Sequence, residues 1–245
     1  MGLMARKTAS RKQVTSTEPR LRRLRLFLRR WLLRGGLIVL GATVLVVGLF
    51  TVVNPPTTPY MFSESSRLDG VDHTWVPLEE IAPVMARAAV AAEDADYCLH
   101  WGLDLSAIRA AMNDGTGRGG STISQQTVKN VYLWQGRSWF RKSLEALLTP
   151  VVEAAWTKRR ILEVYLNVAE FDEGVFGVEA AAVHYFGVQA RDLTPTQAAR
   201  LAAVLPDPKG RSAAQPSSFV RSRAASILDG AATIRVDGRA DCFED

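Results

Sequence analysis

Two patterns of apolar and polar residues divide the chain. Residues 35–53, GGLIVLGATVLVVGLFTVV, carry no charge, and a helix of that length rises about 28 Å, close to the hydrocarbon thickness of a bilayer. After residue 75, apolar residues recur at helical spacing, and alternating strand patterns are nearly absent. The sequence therefore predicts a mainly α domain behind a single N-terminal transmembrane helix.

Capping signals predict where the helices begin. Pro77 is expected in the first turn of LEEIAPVMARAAVAAED, Asp104 caps LSAIRAAM, and Ser121 caps TISQQTVKNVYL. Thr194, with Gln197 three residues later, forms a capping box. The runs WFRKSLEALLTPVVEAAW and KRRILEVYLNVAEF predict further helices.

Charge divides the chain in the same way. Residues 1–34 contain eleven Lys and Arg against one acid, a balance of +10, so the total of +5 leaves −5 on residues 35–245. The basic tail gives no reason to expect nucleic-acid binding by the folded part. By the positive-inside bias it lies in the cytoplasm, with the remainder outside the membrane. A cleaved signal peptide is the alternative, although its apolar region is usually shorter.

These patterns predict four segments along the chain. They are a basic cytoplasmic tail at 1–34, a transmembrane anchor at 35–53, a Pro/Ser/Thr-rich linker at 54–74 and a globular domain at 75–245. Cys98 and Cys242 are the only cysteines. They form either a bridge that ties the C-terminus to the domain or two free thiols.

The stretch GRGGSTISQQTVKN has the look of a phosphate-binding loop. Gly115 and Gly120 have the spacing of a nucleotide P-loop, but Ser121 stands where the lysine is required, and no strand precedes it. A nucleotide site is therefore excluded. The loop at 113–120 is predicted to be mobile.

Four blocks in order carry a more specific signal. They are EDADYCLHWG at 93–102, GGSTISQQTVKN at 119–130, RKSLE at 141–145 and KRRILEVYLNVAEFDEGVFG at 158–177. Together they resemble the peptidoglycan glycosyltransferase family, and most closely its monofunctional, membrane-anchored members. The resemblance covers about residues 75–210. Tyr97 stands where the family usually has phenylalanine.

The resemblance implies a lysozyme-like helical fold and a definite activity. Such enzymes polymerise lipid II into β-1,4 glycan strands with inversion and release polyprenyl diphosphate, with the growing strand as donor. A location on the bacterial inner membrane facing the periplasm, and cell-wall synthases or divisome proteins as partners, are implied as well. No cofactor is required by the sequence, whereas the resemblance implies optional stimulation by Mg²⁺ or Mn²⁺.

Two glutamates are the predicted catalytic residues. Glu93 follows an apolar alanine-rich helix, a setting that can desolvate a carboxylate and raise its pKa toward the range of a general base. The resemblance implies that it deprotonates the 4-hydroxyl of the acceptor sugar. Glu145 lies four residues after Arg141, so an ordinary salt bridge would explain it. The resemblance implies in addition that it assists near the donor phosphate or sugar.

The predicted substrate-binding residues are cations for the departing diphosphate and polar side chains for sugars and phosphate oxygens. Helix N–H groups after Ser121 are expected to face an anionic or polar ligand. For Asp94 and Asn167, holding their blocks together is the alternative, as it is for His100. The full set is Asp94, Ser121, Gln125, Gln126, Lys129, Asn130, Arg141, Lys142, Lys158 and Asn167.

Three other functions are alternatives to glycosyl transfer: hydrolysis, a non-catalytic scaffold and an additional transpeptidase activity. A lysozyme-type hydrolase also uses two carboxylates, but it has no use for clustered cations. A non-catalytic scaffold predicts loss of these carboxylates and cations, which are intact. The absence of Ser-x-x-Lys after the blocks excludes a transpeptidase domain. Trp134, Trp139 and Phe140 belong either to the core or to a surface that enters the bilayer.

Overall fold

The computed structural model describes residues 18–104, 109, 120–136 and 138–244. The chain forms two compact units, Met1–Val46 and Val47–Asp245. The basic tail as far as residue 17, the helix expected after Asp104 (apart from residue 109) and the glycine-rich loop before Gly120 lie outside the described residues.

Helix α1, Glu18–Leu49, accounts for the described part of the first unit. Its portion Arg22–Leu49 has a window of mean hydropathy 2.2 and is long and apolar enough to cross a membrane. The helix starts well before the predicted anchor, because several basic residues continue the same helical run. It ends at Leu49, four residues short of residue 53. One apolar N-terminal helix, as predicted, is therefore present.

The second unit is mainly helical, which confirms the predicted fold class. Its helices are α2 Pro59–Leu68, α3 Pro83–Glu93, α4 Ile123–Tyr132, α5 Trp139–Ala155, α6 Lys158–Val168, α7 Val178–Phe186, α8 Pro195–Val204, α9 Ser218–Val236 and α10 Asp241–Glu244, with short 3-10 helices at Leu78–Glu80 and Ala190–Asp192. Among the described residues, strands β1 Asp72–His73, β2 Glu170–Asp172 and β3 Val175–Phe176 form a small sheet of order β1-β3-β2. Strand β3 pairs in parallel with β1 and antiparallel with β2.

The segment predicted as a linker, 54–74, is part of this fold. Thr58 caps α2 by accepting a hydrogen bond from the Met61 N–H, and Met61 is buried in the core. The linker prediction was wrong because Pro59 occupies the first helical turn, where proline is favoured. The proline-rich composition therefore marks a helix start here.

Two other helix boundaries differ from the prediction. Pro77 precedes only the 3-10 helix, and the alanine-rich helix starts afresh at Pro83. The fourth-block helix ends at Val168 because residues 170–172 pair with β3. The capping box of Thr194 with Gln197 is confirmed.

Close packing of small residues brings α3 and α9 together. Ala86, Ala88 and Ala89 of α3 are buried, and a Cβ on Gly230 of α9 would lie 3.2 Å from the Ala91 side chain. Helix α6 runs through the core, with its apolar residues from Ile161 to Leu166 almost fully buried. This packing fixes the C-terminal end of α3 inside the domain.

The two cysteines form a disulfide. Cys98 and Cys242 are bonded across 144 residues of sequence, with their Cα atoms 5.7 Å apart. Of the two alternatives left open by the sequence, the bridge is therefore the one observed.

Candidate active site

Glu93 is the last residue of α3, and its carboxylate is buried. Its Oε2 accepts a hydrogen bond of 2.8 Å from Gln126 Nε2 on α4. Its Oε1 is buried and accepts no hydrogen bond from any described residue. Burial raises the pKa of Glu93, and the Gln126 bond and the charges of Arg223 and Lys129 only partly oppose this. A carboxylate with a raised pKa and one oxygen left without a partner is suited to accept a proton.

Lys129 lies three residues after Gln126 on α4 and is largely buried. Burial lowers the pKa of Lys129, and the charges of Glu145 and Glu93 oppose that shift. In the described part of the chain, its ammonium group donates no hydrogen bond. The lysine is therefore within electrostatic reach of both predicted catalytic glutamates and retains its donors for a ligand.

Glu145 of α5 lies in a cluster of cations. Its side chain is 3% exposed, and Arg141 donates to Oε2 at 2.7 Å. Lys142 donates to Oε1 and also to the Ser121 hydroxyl, at 3.1 Å in the latter case. The salt bridge expected from the i,i+4 spacing is thus present, and the structure brings Ser121, Arg141 and Lys142 together around Glu145.

Two cavities open on either side of the Glu93–Gln126 pair. One, of about 320 Å³, is lined by Tyr60, Gln126, Lys129, Asn130, Gln135, Tyr165, Ala169, Glu170, Leu205, Pro206, Asp207, Pro208 and Lys209. The other, of about 290 Å³, is lined by Ala91, Ala92, Glu93, Asp94, Ala95, Asp96, Asp104, Gly120, Ser121 and Thr122. Glu93 lines the second cavity and accepts a hydrogen bond from Gln126, which lines the first, so this pair links the walls of the two cavities.

At the N-terminus of α4 the N–H groups of Ile123 and Gln125 are already bonded within the protein, which corrects one prediction. Thr122, not Ser121, caps the helix, in a capping box with Gln125. The Ile123 N–H donates to Asp94 Oδ2 at 2.9 Å. An internal carboxylate and the Thr122 hydroxyl therefore occupy donors that we expected to face a ligand.

Gln125 and Asp94 are accordingly engaged within the protein. Gln125 is buried, and its side-chain oxygen accepts from the Thr122 N–H at 3.1 Å. Asp94 borders the second cavity, but its other oxygen bonds to His100 Nε2 at 2.7 Å. Of the two alternatives for Asp94, the contacts favour orientation of the first block.

Asn167 and Lys158 line neither of the two cavities. Asn167 is fully buried, and its amide bonds to both the N–H and the carbonyl of Val76. Lys158 Nζ pairs with Glu153 at 2.8 Å and lies 4.4 Å from the centre of the Tyr97 ring. The structure thus does not bring these two predicted residues to the cavities, because each is committed to holding neighbouring segments.

One wall of the larger cavity was not predicted from the sequence. Tyr60, Glu170 and Lys209 form it, with the Tyr60 hydroxyl donating to Glu170 and Lys209 lying 3.5 Å from the same carboxylate. Tyr60 lay in the segment taken for a linker, and Lys209 lies beyond the last block. The only available signal was Glu170, which falls within the fourth block.

A buried tyrosine also faces this cavity. Tyr165 lines it, and its buried hydroxyl has no hydrogen-bond partner among the described residues. Burial raises the pKa of Tyr165, so the hydroxyl stays protonated. Of the described residues, no group of three or more His, Cys, Asp or Glu is arranged to hold a metal ion.

Glu93 lines a cavity of this helical domain, and Glu145 is a second, buried glutamate among cations. Paired carboxylates of this kind are typical of enzymes that process glycosidic bonds, hydrolases and transferases alike. Residues 62–232 match the family described as Transglycosylase. This chain belongs to that family, which confirms the resemblance found in the four blocks.

Similar proteins match most of the chain. The chain is 63% identical over 217 residues to the biosynthetic peptidoglycan transglycosylase of Jannaschia sp. (strain CCS1), covering 88% of this chain and 90% of that protein. It is 45% identical over 223 residues to the protein so named in Caulobacter vibrioides, covering 89% and 97%. For the corresponding protein of Pseudomonas fluorescens (strain Pf0-1), the identity is 50% over 214 residues, covering 83% and 89%.

Proposed function

We propose that this protein is a peptidoglycan glycosyltransferase that polymerises lipid II into β-1,4 glycan strands and releases polyprenyl diphosphate. Membership of the transglycosylase family and the names of its relatives support this. The observation that carries the proposal is the placement of two polar groups that have no partner among the described residues. The free oxygen of Glu93 and the unpaired ammonium of Lys129 lie on adjoining cavities within electrostatic reach of each other.

The proposed reaction uses Glu93 as the general base. Its carboxylate takes the proton from the 4-hydroxyl of the acceptor sugar, and the hydroxyl oxygen attacks the anomeric carbon of the donor. The bond from that carbon to the diphosphate breaks, so the configuration inverts and the electron pair leaves with the diphosphate. Gln126 holds the carboxylate in place through its hydrogen bond.

The cations act on the leaving group. Fixed positive donors lower the barrier where negative charge develops. Lys129 is free to donate, and the cations Arg141 and Lys142 lie around Glu145. In this proposal Glu145 holds the two cations in position near the donor diphosphate, and Asn130, which borders the larger cavity, is available to a sugar or phosphate oxygen.

The cations also separate transfer from hydrolysis. A hydrolase of the lysozyme type protonates a sugar leaving group and needs a carboxylic acid for it. A diphosphate leaves without such help but requires positive charge. A buried lysine kept without an ion pair is costly unless it has a ligand, which favours the diphosphate substrate.

Membrane attachment is the second part of the proposal. The apolar segment Arg22–Leu49 would serve as an uncleaved anchor of the inner membrane, with the N-terminus in the cytoplasm and the domain in the periplasm. Trp134, Trp139 and Phe140 are 45%, 91% and 66% exposed. Their exposure favours contact with the bilayer that holds the lipid-linked substrate over packing in the core.

This contact can be tested by replacing the three aromatic residues with alanine. We expect slower turnover of lipid II embedded in vesicles and unchanged turnover of lipid II dissolved in detergent. The matched control replaces Val183 and Val236, which are 54% and 81% exposed. Equal loss in vesicles and detergent, or loss in the control, would show that the aromatic residues have no specific membrane role.

The proposal includes optional stimulation by a divalent metal ion and binding to other proteins of cell-wall synthesis. We expect polymerisation to persist in EDTA and to be stimulated by Mg²⁺ or Mn²⁺. Cell-wall synthases or divisome proteins are the expected partners.

The experiment for the activity itself supplies purified full-length protein with lipid II in detergent. We expect a polymer that a muramidase degrades to disaccharide units. Finished cell wall is supplied in parallel, and release of soluble muropeptides from it would point to the hydrolase. No product from either substrate would point to the scaffold.

A further inference from the structure

The C-terminal segment Asp237–Glu244 lies beyond residues 62–232, the part of the chain that matches the family. It nevertheless contacts the segment that directly follows Glu93. Its Cys242 is bonded to Cys98, five residues after Glu93. A part of the chain outside the family match is therefore covalently attached next to the proposed base.

Side chains reinforce this attachment. Arg239 donates to the carbonyl of Ala95 at 3.1 Å and pairs with Asp96 at 3.4 Å. Phe243 is buried, and its ring centre lies 6.3 Å from that of Tyr97. The C-terminal segment thus contacts residues 95–98 through a covalent bond, a charged hydrogen bond and an aromatic pair. We call this segment, 237–244, the C-terminal clamp.

The clamp is itself fixed to the helical framework. Arg159 of α6 donates to the Phe243 carbonyl at 2.8 Å, and Arg87 of α3 pairs with Glu244 at 2.5 Å. These contacts are to helices, not to the segment that the clamp holds. Movement of residues 95–98 is therefore restrained relative to α3 and α6.

The held segment directly follows two residues of the active site, Glu93 and Asp94. Asp94 bonds to the first N–H of α4, the helix that carries Gln126 and Lys129. One oxygen of Glu93 has no partner within the described residues to hold it. The position of that carboxylate therefore depends on the backbone around it.

We propose that the C-terminal clamp is a positioning element for the transfer reaction, closed by the Cys98–Cys242 disulfide, and that opening this disulfide slows the chemical step without unfolding the domain. The inference rests on the proposed function. Displacement of a reacting group by about 1 Å can lower the rate about a hundredfold. A small movement of residues 95–98 should therefore lower kcat even where the domain stays folded.

The test compares four forms of the full-length protein in detergent with lipid II. They are the oxidised wild type, the wild type treated with dithiothreitol, and the Cys98→Ser/Cys242→Ser variant with and without dithiothreitol. The dithiol gives two electrons and two protons to the disulfide, which becomes two thiols, while the reagent closes to its cyclic disulfide. We expect kcat to fall about 10- to 100-fold in the reduced and double-serine forms, with KM changed by less than about threefold.

The pH profile gives a readout that a purely structural bridge would not change. The charged or titratable groups that act on Glu93 are Arg223 of α9, Lys129 of α4, Arg211 and, on α6, Tyr165. Because burial is the main cause of its raised pKa, a loosened segment that admits water should move the acid limb of kcat/KM to lower pH. An unmoved limb with unchanged kcat in the reduced, folded wild type would overturn the proposal.

Arg239→Ala tests the clamp without touching the cysteines. Its matched control is Arg235→Ala, since Arg235 is exposed and forms no ion pair among the described residues. We expect a fall in kcat for the first and not for the second. Equal effects of the two substitutions would contradict a specific role for Arg239.

Hydrogen exchange separates this inference from the proposed function. Reduction should raise exchange at residues 95–100 while helix α8, Pro195–Val204, keeps its protection. If the wild type makes no polymer but this difference is seen, the proposed function and the catalytic role of the clamp are both refuted, and only the restraint of residues 95–100 by the disulfide is supported. If polymer forms and exchange at 95–100 is unchanged on reduction, the clamp fails alone. If the double-serine variant does not fold, the reduced wild type, checked by circular dichroism, decides the question.

Discussion

Replacement of Asp94 by alanine distinguishes an architectural role from a substrate contact. Asp94 is 7% exposed, and its two carboxylate oxygens bond to the Ile123 N–H and to His100. Alanine removes both bonds and leaves the first N–H of α4 buried without its partner. The same change weakens the link between the end of α3 and the start of α4.

The size of the effect follows from these two bonds. A hydrogen bond to a charged group contributes about 1.5–3 kcal/mol, so we expect Asp94→Ala to lower the free energy of unfolding by about 3 kcal/mol. For a domain of this size, that corresponds to a fall in Tm of about 6–12 °C. Asp94→Asn keeps an acceptor for the Ile123 N–H but loses the charge, and we expect about half the effect. Near-UV circular dichroism of the detergent-solubilised protein during heating measures both.

The matched control is Asp229→Ala. Asp229 is exposed on α9 and its side chain has no hydrogen-bond partner among the described residues, so its loss should cost less than about 0.5 kcal/mol. If Asp94→Ala melts like the wild type yet is inactive, Asp94 acts on the substrate and the positioning role derived from its bonds is refuted.

Three further predictions concern the site and its support. Lys129→Met should slow polymerisation by at least about 100-fold while leaving Tm unchanged or higher, because a buried cation without an ion pair is removed; a lower Tm would contradict this. Glu93→Gln should be more stable than the wild type near pH 7. Because the pKa of Glu93 is raised in the folded state, the wild type loses stability as pH rises above the ordinary pKa of 4.5, so the stability advantage of the variant should vanish in melts below that pH. A stability advantage that does not depend on pH would argue against a desolvated carboxylate. Gly177→Ala should lower the free energy of unfolding in urea by about 2–3 kcal/mol, because Gly177 has φ +84° and a Cβ would lie 2.8 Å from the Asn167 carbonyl oxygen. The control Gly187→Ala, at φ +65° with no atom near the added Cβ, should lower it less. Equal losses for the two variants would exclude the close contact as the cause.

The sequence predicted the parts of the fold that local chemistry decides. The capping box at Thr194, the helical run from Trp139 and the apolar N-terminal helix depend on neighbouring residues, and all are present. The linker prediction failed because composition cannot show that Met61 is buried by distant parts of the chain. The start of α4 was misplaced by one residue because Ser121 and Thr122 are both good caps, and contacts with the Gly102 carbonyl and Asp94 select Thr122.

In the site as well, local contacts were predicted from the sequence and contacts between distant residues were not. Spacing on one helix predicted Glu145 with Arg141, and the four blocks predicted Lys129 near Glu93. Spacing could not show that Gln125 completes a capping box or that Lys158 pairs with Glu153. The cavity wall at Tyr60 and Lys209 was missed, because it forms only when residues far apart in sequence meet.

The central claim is that Glu93 removes the proton from the acceptor sugar. The most direct measurement is the steady-state rate of lipid II polymerisation by Glu93→Gln. The control is Glu80→Gln, since Glu80 is an exposed glutamate in the 3-10 helix that precedes α3. Glutamine keeps the size of the side chain but cannot take the proton, so the account predicts a fall of about 10²–10⁴-fold in a protein that folds normally, and a wild-type rate for the control. Polymerisation by Glu93→Gln at the rate of the wild type would contradict the account.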